Sequence, residues 1–160
     1  MTIRRLALAA ALLAATPLAF AQSSPQTANM PVTITVTNTC TVAAGTLAFG
    51  TQTLAAAADA SANITVTCSN RGAYTLAFGD GNFVNGGQRR MEHTDAGITQ
   101  HINYDLFSDA GRTTALTTLG GTSTGGGTGD VRTIFGRVPS GQANKETGNY
   151  ADSVVVTLTF

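Results

Sequence analysis

The chain has no tryptophan, and only 11% of its 160 residues are charged. Nine basic residues balance nine acidic ones, so the formal net charge is zero. Proteins that bind nucleic acid or anionic membranes need concentrated positive charge, and here the few charges are scattered along the chain. The composition therefore argues against a nucleic-acid partner and against binding to an anionic membrane surface.

Residues suited to catalysis or metal binding are also scarce. His93 and His101 are the only imidazoles, too few to form a metal site by themselves. No G-x-S-x-G elbow occurs, and the carboxylates fall mainly at predicted turns and strand ends, where they usually cap backbone groups. Carboxylates far apart in sequence can still meet in space, so a glycosidase is the enzyme alternative. We predict no enzyme activity, no metal and no cofactor.

The sequence has one long hydrophobic run, and it lies at the N-terminus. Arg4 and Arg5 precede an apolar stretch from Leu6 to Ala15, and Ala19-Phe20-Ala21 has the small-x-small pattern of a cleavage site. These features predict a signal peptide over residues 1–21, with a retained membrane anchor as the alternative. No later stretch approaches about 18 apolar residues, so we expect an exported chain without membrane insertion.

Only two cysteines occur, Cys40 and Cys68, and both lie in the exported part. In an oxidising compartment a lone pair most simply forms an intrachain disulfide. A redox or metal pair would need close C-x-x-C spacing or additional histidines, and the sequence has neither. We therefore predict a structural Cys40–Cys68 disulfide.

The remaining sequence consists of short strand patterns separated by turn residues. Regular short strands with Gly-rich turns indicate an antiparallel sandwich or barrel. We interpret Ala55 to Ala62 as a loop, and the Gly-rich stretch from Leu119 to Gly129 as a mobile hairpin loop. The predicted strands cover residues 32–36, 41–49, 63–68, 74–78, 102–106, 131–138 and 154–160.

Two of these patterns alternate strictly between apolar and small polar residues, as a strand with one buried face does. The last one carries Val154, Val156, Leu158 and Phe160, and no residue follows it to supply a pairing strand. The first one carries Val32, Ile34 and Val36 and precedes the cysteine pair. It is placed as a strand that is available to another molecule.

At a series of landmarks the chain resembles the spore coat protein U domain family, which includes subunits of archaic (Csu-type) chaperone–usher pili. The landmarks are Cys40-Thr41-Val42, Leu47-Ala48-Phe49-Gly50, Ile64 to Cys68, Arg90-Met91, Ile102 to Phe107 with Asp109 and Arg112-Thr113, Phe135 to Pro139, Gly148 to Asp152, and Val154 to Phe160. The resemblance implies an all-β, incomplete immunoglobulin-like sandwich of six strands with an N-terminal donor strand. It also implies a subunit of a surface fimbria, supporting adhesion and biofilm formation and assembled by donor-strand exchange.

The same resemblance implies a domain division and a set of partners. Residues 22–37 would form the donor extension and residues 38–160 the pilin domain. The partners would be a periplasmic chaperone, an outer-membrane usher and neighbouring pilus subunits. Export to the periplasm and then to the cell surface would follow. The terminal run Val154, Val156, Leu158 and Phe160 would border the groove and contact the chaperone.

Two alternatives remain open at this point. The strand before Cys40 is either a donor or the domain's own first strand, which would leave only Gln22 to Pro31 as a donor. These residues are too polar to fill a groove well. At the level of function, the alternatives are a secreted self-contained binding module and a spore or cell coat protein of the same fold.

Overall fold

A computed structural model describes residues 24–160. The predicted signal peptide over residues 1–21 lies outside the described residues. The chain divides into two units, with the boundary between Thr35 and Val36. In the first unit, residues 24–35 contain no strand, and each of their side chains is exposed.

All strands belong to the second unit, and the described residues contain no helix. Nor does any helix long and apolar enough to cross a membrane occur in residues 24–160. The strands are β1 (Cys40–Ala44), β2 (Ala58–Cys68), β3 (Gly72–Phe78), β4 (Arg90–His93), β5 (His101–Asn103), β6 (Asp105–Phe107), β7 (Thr118–Ser123), β8 (Gly129–Val138), β9 (Tyr150–Ala151) and β10 (Val156–Thr159).

Three sheets result, and every pairing between strands is antiparallel. The four-stranded sheet has the order β1-β2-β8-β6, and the three-stranded sheets have the orders β10-β3-β7 and β5-β4-β9. The predicted all-β antiparallel class is thus confirmed. The structure has ten strands, whereas the sequence suggested six plus a donor. The predicted strand over residues 102–106 is divided at Tyr104 into β5 and β6, and β4, β7 and β9 lie outside the predicted strands.

The core lies between the inward faces of these sheets. β2 and β3 alternate buried and more exposed residues, as a strand with one face on a core does. The buried apolar side chains are Ala58, Ala62, Ile64, Val66, Cys68, Tyr74, Leu76, Phe78, Ile102, Tyr104, Leu106, Leu116, Ile134 and Val138. The period-2 pattern in the sequence predicted most of this set.

Two predicted loops are partly strand. Ala58 to Ala62 belong to β2, where they pair with the second half of β8, and alanine at these positions fits the close sheet packing. Thr118 to Ser123 form β7 against β3, although Gly120 and Gly121 have poor strand propensity. Gly121 allows the Tyr74 ring to lie directly on the strand, since a Cβ there would overlap the ring. Tertiary packing thus decides that both segments form strands.

The predicted disulfide is present between Cys40 and Cys68, which are also register partners at the start of the β1–β2 ladder. The Cys68 side chain is 1% exposed. The crosslink holds β1 on the sheet where only five residues make the pairing. In the chain-entropy model, closing a loop of this size stabilises a fold by about 3–4 kcal/mol.

Candidate functional site: an open cleft between two unpaired strand edges

An apolar cleft with a volume of about 1120 Å³ opens into the core of the second unit. The core side chains that line it are at most 7% exposed, and half-buried apolar side chains such as Phe49 and Met91 line it as well. Two chain segments flank it, one after β1 and one around β9 and β10. The lining comprises residues 44–54 and 143–154 together with Ile64, Phe78, Met91, Ile102, Tyr104, Leu106, Ile134, Val138 and Val156.

The first wall is the segment that follows β1. The β1–β2 ladder ends with a hydrogen bond from the Gly45 N–H to the Asn63 carbonyl oxygen, at 2.8 Å. From residue 46 to residue 57, the described structure shows no backbone–backbone hydrogen bond. Leu47 and Phe49 are nevertheless half-buried and pack on the core. This segment forms no strand, and its Phe49 carbonyl oxygen accepts from the Gln52 side-chain amide at 2.6 Å. Its other backbone groups lie beside an apolar face and form an edge to which a strand can be added.

The second wall is formed by β9, β10 and the residues between them. β10 pairs with β3 alone, and the Gly79 N–H donates to the Val155 carbonyl oxygen at 2.9 Å to extend that ladder. The opposite edge of β10 has no strand partner among the described residues. Val154 and Val156 line the cleft, whereas the intervening Val155 is 68% exposed. This wall therefore also presents an unpaired edge with alternate side chains facing inward.

A hydrogen bond ties the floor of the cleft to its second wall. The Tyr104 hydroxyl donates to Asp152 Oδ2 at 2.6 Å, and the Asn82 N–H donates to Asp152 Oδ1 at 2.8 Å. Burial and the hydrogen bond to Asp152 raise the pKa of Tyr104 well above its usual range. The Tyr104 ring also faces Phe49 of the first wall, with 6.4 Å between ring centroids. Tyr104 thus contacts both walls of the cleft.

His93 fixes the outer part of the second wall. Its side chain is buried, the Asp95 N–H donates to Nδ1 at 3.1 Å, and Nε2 lies 3.3 Å from the Thr147 carbonyl oxygen. The first bond uses Nδ1 as an acceptor. The Tyr150 ring packs edge-on against His93, at a centroid distance of 4.9 Å. His93 therefore has a structural role in holding the wall.

The residues predicted as a donor strand lie outside any strand in the structure. Val32 is 82% exposed, Ile34 88% and Val36 69%. Met30 is 82% exposed as well and continues the same alternation, which the sequence analysis did not recognise. Its position two residues before Val32 is the signal that identifies it. Such a row of exposed large apolar side chains is unusual for a surface that stays in water.

The four residues predicted for the groove edge separate into two pairs. Val154 and Val156 line the cleft. Leu158 is half-buried against the core and does not line it, and Phe160 is 56% exposed. The cleft therefore opens along the first half of the terminal run.

The two histidines are not brought together as ligands. His93 is bonded within the second wall, and His101 Nε2 lies 3.5 Å from Glu92 Oε1. Within residues 24–160, no three side chains of the histidine, cysteine and carboxylate types form a potential metal-binding group.

Comparisons with known proteins identify the family. The profile of the Spore Coat Protein U domain matches residues 26–157, which is most of the chain. The chain belongs to the Spore Coat Protein U domain family. The resemblance found from the sequence is thereby confirmed. A comparison with curated protein sequences finds no match.

Solved structures share the fold of this Spore Coat Protein U domain. One match is a chain in the crystal structure of the CsuC–CsuE chaperone–tip adhesion subunit pre-assembly complex, from the archaic chaperone–usher Csu pili of Acinetobacter baumannii. The TM-score is 0.55 and the sequence identity is 22%. The match covers 79% of this chain and 40% of the other, so the chain spans less than half the length of that relative.

Proposed function

We propose that this protein is a structural subunit of a surface fimbria, assembled when each subunit's cleft receives an extended strand from another molecule. The observation that carries the proposal is the cleft with an unpaired backbone edge on either side, in a chain that also has an exposed apolar extension. Family membership and the likeness to a chaperone–subunit complex support it. The role is structural rather than catalytic.

The occupant of the cleft in the fimbria is residues 30–36 of a neighbouring subunit. An added strand supplies backbone partners to both edges, and its alternate side chains pack into the apolar cleft. Burial of Val32, Ile34 and Val36 contributes about 5–9 kcal/mol before ordering costs. This gain is large enough to make each joint long-lived, since separation exposes these three side chains again.

Before assembly the cleft needs a temporary occupant, because an open edge over an apolar core favours aggregation. We assign that role to a periplasmic chaperone that lends a strand, with Val154 and Val156 among its contacts. An outer-membrane usher then exchanges the lent strand for a neighbour's residues 30–36. The protein is exported to the periplasm and reaches the cell surface as part of the fimbria, where it supports adhesion and biofilm formation.

Domain limits follow from the same proposal. Residues 1–21 are the signal peptide, residues 22–37 the donor extension, and residues 38–160 the domain that carries the cleft. The division between structural units at Thr35 and Val36 supports a boundary in this region. The exposure of Val32 and Ile34 favours the donor interpretation over a first strand of the domain itself.

A pair of substitutions on the two faces of the extension tests the proposal. Ile34→Asp places a charge on the inserted face, whereas Thr35→Asp places the same charge on the opposite face. We expect Ile34→Asp to abolish the ladder of polymers on unboiled gels and Thr35→Asp to preserve it. Equal ladders from both variants, or polymers formed through the cleft by a chain lacking residues 22–37, would refute the proposal.

A further inference from the structure

The extension is joined to the domain by a cluster of polar side chains, which we name the hinge clamp: Thr37, Asn38, Thr39, Ser69 and Asn70. The Asn70 side-chain amide donates to the Thr37 carbonyl oxygen at 2.7 Å. The Asn70 N–H donates to Asn38 Oδ1 at 2.9 Å, and the Ser69 hydroxyl donates to the same oxygen at 3.2 Å. Three consecutive residues before β1 are therefore fastened to the turn between β2 and β3.

Backbone bonds complete the hinge clamp. The Thr39 N–H donates to Ser69 Oγ at 3.1 Å, and the Ser69 N–H donates to the Thr39 carbonyl oxygen at 2.9 Å. Asn38 and Asn70 are half-buried, whereas Val36 just before them is 69% exposed. The change from exposed extension to fixed backbone thus occurs within one or two residues.

The Gly-rich loop between β7 and β8 is hydrogen-bonded to the turn that carries Ser69 and Asn70. The Gly126 N–H donates to the Ser69 carbonyl oxygen at 3.0 Å, and the Gly127 N–H donates to the Cys68 carbonyl oxygen at 3.1 Å. Gly125 has φ +74°, and a Cβ there would lie 2.6 Å from the Arg71 nitrogen. At Gly125 the loop can approach the turn this closely only because glycine has no side chain. The turn that holds Asn38 is therefore itself held.

The position of the hinge clamp relative to the cleft gives it a consequence for assembly. The clamp lies immediately before β1 starts, and the cleft begins at Ala44, where β1 ends. To enter its own cleft, the extension would have to reverse and run back along β1. A chain reversal takes about four residues. The four residues available just before β1 include Thr37 to Thr39, which the clamp holds in place, and a turn further upstream would consume the donor residues.

From this placement we infer that the hinge clamp prevents the subunit from filling its own cleft and so reserves residues 30–36 for a second copy of the chain. The inference rests on the proposed function. A flexibly tethered segment has an effective concentration on the order of millimolar, whereas separate subunits at micromolar concentration cannot compete with it. Without the clamp, the extension would fill the cleft of its own subunit before a neighbour's extension could bind there. With a tether that cannot turn back, the effective concentration at its own cleft falls toward zero.

The test uses the full mature chain, refolded by dilution with its disulfide intact at a series of protein concentrations. Asn38→Ala combined with Asn70→Ala removes the bonds made by the two asparagine side chains. The bonds between Thr39 and Ser69 remain, and the disulfide still holds β1 on β2. Asn63→Ala is the matched control, since it removes a 2.9 Å bond from Thr133 on the outer face of the sheet. The readouts are the monomer fraction by size-exclusion chromatography and the binding of a synthetic peptide of residues 28–37 to that monomer.

We expect the double variant to yield at least about tenfold more monomer than the native chain at equal concentration, because several hydrogen bonds that oppose the reversal are lost. The fraction of this monomer should not depend on protein concentration. The monomer should not bind the peptide, because its cleft is already filled. The control should behave as the native chain does. Polymerisation of the double variant at the native level would overturn the inference.

A second variant keeps the test informative if the double variant does not refold. Four flexible residues inserted between Val36 and Thr37 leave the clamp intact but supply a turn upstream of it. The fraction of monomer that does not bind the peptide should therefore increase in this variant too. No increase would count against the inference. If instead the native chain neither polymerises nor binds the peptide, the proposed function itself fails. That outcome differs from polymerisation of the variants at the native level, which contradicts only the role of the clamp.

Discussion

Val155 and Val156 are neighbours in sequence with opposite surroundings: Val156 lines the cleft, whereas Val155 is 68% exposed on the other side of the strand. Substituting Val156 with aspartate places a charge where an incoming strand must pack, and an unpaired charge is costly to bury. We expect Val156→Asp to reduce binding of a peptide of residues 28–37 by at least tenfold, measured by fluorescence anisotropy. Val155→Asp is the matched control and should bind within about threefold of the native chain. Comparable losses in both variants would show that β10 does not border the binding cleft.

The hydrogen bond between Tyr104 and Asp152 should contribute to stability as well as to the shape of the cleft. Tyr104→Phe removes the donor and leaves the half-buried carboxylate with the Asn82 N–H. We expect a loss of about 1.5–3 kcal/mol in the free energy of unfolding, the usual range for a hydrogen bond to a charged group. Urea denaturation measures it.

The control for this change is Tyr150→Phe, whose hydroxyl donates to the exposed Glu146 carbonyl oxygen at 2.9 Å. This carbonyl oxygen can accept from water instead, so we expect a loss below about 1 kcal/mol. If the two variants are equally destabilised, the Tyr104–Asp152 bond has no special role in holding the second wall.

Tyrosine ionisation should make the fold sensitive to alkaline pH. Burial and the hydrogen bond to Asp130 raise the pKa of Tyr74 to about 12, and burial together with Asp152 raises the pKa of Tyr104 as well. The folded state then holds these protons more tightly than the unfolded state, so their stabilising effect is complete below about pH 10. It is lost as the pH rises from about 10 through 12.

Unfolding free energies measured by urea between pH 9 and 12 test this expectation. Tyr74→Phe should reduce the fall in stability over that interval, because the group that ionises in the unfolded state has been removed. An identical pH profile for the native chain and Tyr74→Phe would mean that Tyr74 does not contribute to the alkaline loss.

The disulfide should matter for the short strand that it anchors. Replacing both Cys40 and Cys68 with serine removes a crosslink whose loss typically costs small secreted domains 2–5 kcal/mol. We expect a lower thermal midpoint and increased amide exchange in β1. Because β1 leads into the first wall of the cleft, peptide binding should weaken too. Unchanged exchange in β1 would show that pairing with β2 is sufficient to hold it.

Gly148 should be required for the outer part of the second wall. Its φ is +151°, and a Cβ there would overlap the imidazole ring of His93. We expect Gly148→Ala to displace the wall and to reduce peptide affinity at least severalfold. Gly141→Ala is the control, because Gly141 also has a positive φ, +82°, but faces open space. If the two variants lose the same affinity, backbone strain rather than the contact with His93 is the cause.

The sequence alone was enough for the class of fold, the disulfide and much of the core. These features depend on local patterns. Alternation along β2 and β3 determines which side chains face inward, and each of two cysteines has only the other as an intrachain disulfide partner. The exposed row at Val32, Ile34 and Val36 was visible for the same reason. Residue types along a strand reveal which face is apolar, even where the strand has no partner yet.

Tertiary structure decided what the sequence pattern left undetermined. Ala58 to Ala62 and Thr118 to Ser123 have weak strand propensity and become strands only because β8 and β3 lie beside them. The cleft is likewise a property of strands that are distant in sequence, as the contact of Tyr104 with both Phe49 and Asp152 shows. The sequence determined that an apolar strand is available, and only the arrangement of β1 and β10 decided where one is missing, because an unpaired edge exists only once the other strands have paired.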